Sequence, residues 1–224
     1  MSGKVWISNL KSNYELGDKL GLRTKFFDEE WEPASFILPI MSDAMSANMK
    51  RSGRGFALHR EELPEAAAVW NEKSFVKTGE IFWAGGFLVV KSKLADILSR
   101  FDLGEGGLVP FSIYKSDLVT PMEGEYFLLN FGARKNTILP EQSTNVERFS
   151  VVKATGLQTW KVNSWHEDDD VLLSSAALEG PDLWFESIIY SKIFMSDRLA
   201  SALQEAGLAD DWRLKQCRIL ETGQ

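Results

Sequence analysis

A series of short segments beginning near residue 80 limits the fold most: IFWAGGFLVV, LVPFSIYK, EYFLLNF, ERFSVVKA and TWKVNSW. Each is rich in Phe, Val, Tyr or Trp, and clusters of Gly, Pro, Asn and Asp cut them apart, the pattern of strands and turns. Around residue 150 the text alternates. Phe149, Val151 and Lys153 are expected on one strand face and Arg148, Ser150 and Val152 on the other, as in an antiparallel sheet with one solvated side. Few helical patterns lie between the strands. The expected class is therefore α+β, a mostly antiparallel sheet of short strands with a few short capped helices, and not a doubly wound α/β fold.

The helices announce their ends. In IFMSDRLASALQEAGL, Ser196 is placed to cap a helix and Asp197 puts negative charge at its positive end. Leu199, Leu203 and Ala206 share a face, and Gly207 with Leu208 spells a Schellman ending. The same grammar recurs in FLVVKSKLADILSRFDLG, with Ser92 as cap, Leu94, Ile97, Leu98 and Phe101 on one face and Gly104 as stop. Lys93-Leu94-Ala95 matches Arg198-Leu199-Ala200, so the two strand-then-helix stretches are either a remote duplication or a coincidence of common signals. Nearer the N-terminus, KVWISN (4–9) predicts a strand, and GLRTKFFDEEWEP (21–33) holds a second apolar run before a turn at Glu32-Pro33. SFILPIMS leads into Ser42-Asp43, which opens a short helix through Met49, and Leu63-Pro64-Glu65 starts an Ala-rich helix ending near Trp70.

At 224 residues, 44% of them hydrophobic, the chain has enough apolar material for a folded core. Its apolar runs, such as Ile188-Ile189-Tyr190 and Ile193-Phe194-Met195, are interrupted far short of the roughly 20 residues a membrane span needs. MSGKVWISNL lacks the apolar region of a signal peptide, and the single Cys217 excludes an internal disulfide framework and a cysteine-based zinc site, so a cytoplasmic location is expected. Acidic residues outnumber basic ones, 32 to 25, for a formal net charge of −7. That balance disfavours nucleic acid as a partner and suits either plain solubility or a basic protein partner. The eight Trp residues, at 6, 31, 70, 83, 160, 165, 184 and 212, are spread evenly, as core residues would be.

No nucleophile elbow, phosphate loop or HExxH pair is present. Gly104-Glu105-Gly106-Gly107 lacks the Lys-Ser/Thr of a phosphate loop, and His59 and His166 are the only histidines available to a triad. The one concentrated ionisable cluster is Trp165-His166-Glu167-Asp168-Asp169-Asp170. It lacks the ligand alternation and central Gly of an EF-hand loop, and consecutive carboxylates in a turn are poorly placed to work across a cleft. It reads as a solvated acidic loop, a partner-binding patch or, least naturally, a metal or catalytic site. No catalytic residues, metal or cofactor are expected, and the chain is not expected to be an enzyme.

Three stretches, FLVVKSKLADILSRFDLGEG, LVPFSIYKSDLVTPMEGEYFLLNF and PDLWFESIIYSKIFMSDRLASALQEAGL, together resemble the immunity-eleven family, immunity proteins encoded beside bacterial polymorphic toxins. The closing Ser-Asp-Arg-Leu helix is the most specific part. The resemblance implies one immunity-like domain over 1–224, with 1–79 as a loosely similar N-terminal part and 80–220 as the region that carries it. It also implies an α+β protein that neutralises a cognate toxin, encoded by a neighbouring gene, by binding it. Trp165, Glu167, Asp168, Asp169 and Asp170 are the candidate toxin-binding residues. The alternative is a non-catalytic accessory module that stacks its Trp and Tyr rings on glycans or small molecules.

Overall fold

The computed structural model describes residues 3–17, 21–27, 30 and 42–220. The chain passes through β1 (Val5–Ser8), β2 (Leu22–Lys25), α1 (Asp43–Ser52), β3 (Ala66–Val69), α2 (Glu72–Phe75), β4 (Ile81–Ala84), β5 (Phe87–Lys91) and α3 (Ser92–Leu98). It continues through β6 (Gly107–Pro110), β7 (Ser112–Tyr114), β8 (Tyr126–Asn130), β9 (Arg134–Lys135), β10 (Val146–Val152) and β11 (Leu157–Val162). Last come β12 (Leu172–Leu173), β13 (Leu183–Glu186), β14 (Ile193–Ser196), α4 (Asp197–Glu205) and β15 (Leu214–Ile219). The protein is α+β, with mostly antiparallel sheets. The turn expected at Glu32-Pro33, the apolar run before Ser42 and Trp31 lie outside the described residues.

The elements fall into two compact units. The first comprises Met1–Asn13, Arg100–Glu105 and Gly132–Gln224; the second comprises Tyr14–Ser99 and Gly106–Phe131.

The second unit holds a four-stranded sheet in the order β4-β5-β8-β6 and a three-stranded sheet, β2-β3-β7. Gly85 and Gly86, at φ +57° and +83°, make the two-residue turn between β4 and β5, a conformation that only glycine adopts without strain. Phe87 and Val89, alternate residues of β5, join Phe26, Phe75, Phe82 and Tyr126 in the core. Ser42 caps α1 by accepting from the Met45 N–H, as its position predicts, but the helix runs on past Met49 to Ser52. Two expectations fail. The Ala-rich stretch is a strand: Ala66–Val69 is wholly buried, paired antiparallel to β2 and parallel to β7. Strands on both sides satisfy the backbone of these small residues, and that pairing outweighs alanine's helix propensity, a weak preference over so few residues. Helix α3 is also shorter than its periodicity suggests. Ser92 is its first helical residue and not its cap, and the helix gives way at Ser99, ahead of Phe101 and Gly104.

The first unit holds a six-stranded sheet, β12-β15-β1-β14-β13-β9, and a separate two-stranded ribbon, β10-β11. Strand β1 lies inside the sheet, antiparallel to β14 on one side and β15 on the other. Its Val5 and Ile7 meet Trp184 and Phe194 in the core. Helix α4 behaves as read: Ser196 accepts from the Leu199 N–H, Gly207 takes φ +68°, and the Leu208 N–H returns to the Leu203 carbonyl at 2.8 Å, the long bond of a Schellman ending. Leu199 and Leu203 are fully buried. The ribbon pairs β10 to β11 with a bulge between Arg148 and Ser150, which breaks the strict alternation expected there: the extra residue, Phe149, flips the pairing that follows it.

Candidate functional site

The acidic segment is the turn that carries the chain from β11 to β12, and its carboxylates divide sharply in use. Asp170 is spent on the fold. One oxygen accepts from the Thr144 hydroxyl at 2.6 Å; the other accepts from the Asn145 amide at 2.8 Å and the Glu167 N–H at 2.7 Å. Thr144, then the Glu167 amide and Asn145, hold its pKa below the usual carboxylate value. Asp168 accepts from the Gln216 N–H at 2.7 Å, fastening the turn to β15. Asp169 takes a left-handed φ of +65° so that its own N–H reaches the Gln216 carbonyl at 2.9 Å. Glu167 pairs with Lys215 at 2.5 Å, a bond that raises the lysine's pKa. Glu167, Asp168 and Asp169 are exposed, and Trp165 is 75% exposed.

His166 points the other way. It is 1% exposed, with Nδ1 2.7 Å from the Asn163 carbonyl and no partner for Nε2 among the described residues. Burial lowers its pKa, Lys192 adds to that, and the Asn163 bond only partly opposes it, so the ring is a neutral packing element. Lys192 is itself buried, its ammonium donating to the Asn9 side chain, and desolvation brings its pKa down to about 8. His59, the other histidine, sits at the start of a short 3-10 turn in the second unit, where its backbone N–H donates to Glu62. Cys217 is buried and its thiol pKa is pushed well up, so it stays protonated and unreactive.

Beside the acidic turn stands the ribbon. The Asn163 N–H donates to the Asn145 carbonyl at the ribbon's root, and the Thr144 N–H to that of Asp170. Residues 147–151 are exposed throughout, with Phe149 at 50% and Val151 at 54%, and Leu157 across the hairpin at 46%. Along β11 lies the connection between β13 and β14: the Trp160 N–H donates to the Ile188 carbonyl and the Tyr190 N–H to the Trp160 carbonyl, at 2.8 and 2.9 Å. This fastening places the Tyr190 ring 4.9 Å from that of Phe149, while Tyr190 remains 54% exposed. The site predicted from sequence thus has an apolar neighbour that sequence reasoning missed. Phe149 was visible as a strand-face residue, but Tyr190 reads as part of an apolar run and gives no sign that a hairpin connection would bring it to Phe149.

A second polar centre, also missed, lies in the same unit. Asp182, its side chain 1% exposed, accepts from Ser196 at 2.5 Å, from Arg198 Nε at 2.7 Å and Nη2 at 2.5 Å, and from the Asp102 N–H at 2.9 Å. Burial raises its pKa, but Arg198, Ser196 and Asp102 together outweigh burial and keep it ionised. An available signal was Arg198 itself, a cation in the first turn of a helix, where the dipole disfavours it unless an acid is near. Glu186 is likewise buried and accepts from Thr137, Ile138 and the Trp184 indole. Both carboxylates are consumed by the fold. Among the described residues no group of three or more His, Cys, Asp or Glu is placed to hold a metal ion, and no helix is long and apolar enough to cross a membrane.

Neither a family model nor a curated protein matches the chain.

Proposed function

We propose that this protein is a non-catalytic inhibitor, an immunity protein that binds and neutralises a cognate polymorphic toxin in the cytoplasm of the cell that produces it. The observation that carries the reading is how the first unit distributes its side chains. Its buried ionisable groups, Asp182, Glu186, His166 and Lys192, are held in internal bonds or packing, while large apolar groups, Phe149, Val151, Leu157, Trp165 and Tyr190, are left in solvent. Unpaired apolar surface of this kind marks interaction sites, and aromatic residues dominate the energetics of protein interfaces. The resemblance of residues 80–220 to the immunity-eleven pattern supports the same reading.

A second reading has its own support. In the second unit a groove of about 410 Å³ is lined by Tyr114, Met122, Tyr126 and Phe127 among others, a place where a glycan or small molecule would stack. Co-expression with the toxin domain of the neighbouring gene separates the two. Restored growth and a stable complex support the inhibitor; growth arrest without a complex, together with saturable binding of an oligosaccharide that Tyr114→Ala abolishes, supports the module.

A further inference from the structure

We propose that the β10–β11 ribbon, with Tyr190 seated against it, is the docking surface for a partner protein whose contact face has an apolar centre and a basic rim. The proposal rests on the inhibitor reading above and adds where the partner sits and what it must present.

The ribbon is tied to its unit at one end only: Val162 lies in the core, Val146 and Trp160 pack against it, and Trp160 bonds to the Ile188–Tyr190 connection. Beyond that anchorage the two strands form a hairpin of their own, an element that is marginal in water. It nevertheless carries Phe149, Val151 and Leu157 about half exposed. The outer edge of β10 is open among the described residues, but the bulge at Phe149 interrupts it, the feature that protects edges from strand addition. What remains for a partner is the side chains and not the backbone. Phe149 and Tyr190 are already in ring contact, and Tyr190 is held through the backbone on both sides of Trp160, so little side-chain freedom remains to be lost on binding.

Charge fixes the chemistry of the occupant. On the ribbon the charges cancel locally: Glu147 pairs with Lys161 at 3.5 Å, and Arg148 pairs with Glu141 at 3.4 Å while covering the Trp160 ring at 5.5 Å. At its root Glu167 pairs with Lys215, and among the described residues the exposed Asp168 and Asp169 make no ion pair, which leaves an excess of negative charge beside the aromatic pair. A partner that covers Phe149 and Tyr190 brings its rim against these carboxylates and is best matched by Lys or Arg. The formal net charge of −7 works in the same direction, since a second copy of this chain would double it.

The test uses the full chain and the catalytically inactivated toxin domain encoded by the neighbouring gene. The double variant Phe149→Ser, Tyr190→Ser is expected to bind at least about 100-fold more weakly with an unchanged melting temperature, the scale of losing two aromatic anchors. Val119→Ser, an exposed apolar site in the second unit, should bind as wild type. Association with the wild-type chain should slow as salt rises. If the double variant does not fold, hydrogen exchange on the wild-type complex replaces it, and protection of residues 147–152 and 188–191 is the supporting result. A complex of wild-type affinity in the double variant, or exchange protection elsewhere, overturns the ribbon while leaving the inhibitor standing. No complex and no protection of growth overturns both. A wild-type dimer that Phe149→Ser, Tyr190→Ser converts to monomer makes the ribbon a self-interface and overturns the basic partner.

Discussion

The two units share a frame and differ in what they attach to it. In the second, the order β4-β5-β8-β6 has α3 following β5; in the first, β13-β14-β1-β15 has α4 following β14, and every pairing in both is antiparallel. Each helix packs on the strand before it and on the next strand over, α3 on β5 and β8, α4 on β14 and β1. Even the junction repeats: the Lys91 N–H donates to the Glu80 carbonyl and the Ser196 N–H to that of Asp182, both at 2.9 Å. One strand is threaded differently, β8 coming after its neighbours in the chain and β1 before them. The difference that matters is the hairpin. Gly85-Gly86 turns the second unit's chain in two residues, whereas the first uses Ser187 to Lys192, and that added length carries Tyr190 to the ribbon. A common frame sets the packing, and one lengthened connection supplies the surface.

The sharpest break of this comparison is at the helices. Leu94 and Leu199 occupy matching positions and are 1% and 0% exposed. Leu94→Ala and Leu199→Ala should each cost about 2–5 kcal/mol in urea unfolding, through lost burial and the cavity left behind. Values differing by more than about 3 kcal/mol, the full width of that range, would mean the helices are not equivalent. Leu199→Ala should weaken protection only in proportion to the loss of folded protein.

The junctions should separate next. Asp182→Ala removes a buried carboxylate that accepts from Ser196, Arg198 and the Asp102 N–H, and should cost about 2–4 kcal/mol, the range for removing a buried, multiply bonded carboxylate. Its counterpart Glu80 has one buried oxygen without a partner among the described residues, so Glu80→Gln should stay within about 1 kcal/mol of wild type. Equal costs would show that the two acids do the same work. The hairpins give a smaller contrast. An added Cβ at Gly85 would lie 2.4 Å from Thr24 Oγ1 at φ +57°, so Gly85→Ala should cost about 1–3 kcal/mol. Ser191, already left-handed at φ +59°, should gain up to about 1 kcal/mol on conversion to Gly.

These contrasts also mark what sequence makes legible. The α4 boundaries are written locally, in Ser196, Gly207 and Leu208, and the strands from residue 80 onward are written in their β-branched and aromatic content. Ala66–Val69 is not: three alanines spell a helix, and only the two flanking strands, both more than 40 residues away, make them a strand. The acidic turn was visible as charge, but the division of labour within it depends on Thr144, Lys215 and Gln216, partners tens of residues distant. Asp170 is scaffolding and Asp169 is exposed, a distinction that four consecutive acids cannot express. Charge-removal experiments on this turn therefore belong at Asp169; substitution at Asp168, which fastens the turn to β15, or at Asp170 would disturb the turn itself.

The finest contrast is response to acid, because the first unit alone buries a histidine. His59 is exposed in the second, whereas His166 is enclosed: burial, Lys192 and Lys215 oppose its protonation, and the Asn163 carbonyl and Asp170 favour it less strongly. Its folded pKa lies below the ordinary 6.5. Above that value both folded and unfolded chains hold a neutral ring, and stability is complete. As pH falls below 6.5 the unfolded chain takes up a proton that the folded chain refuses, so stability declines until the folded pKa is reached, by at most about 1.4 kcal/mol per pH unit. Urea titrations at pH 7.5, 6.5 and 5.5, above the range in which carboxylates dominate, should show this decline in wild type. His166→Gln, whatever its cost at pH 7.5, should flatten it. An unchanged slope in the variant would assign the acid sensitivity to other groups and leave His166 as packing alone.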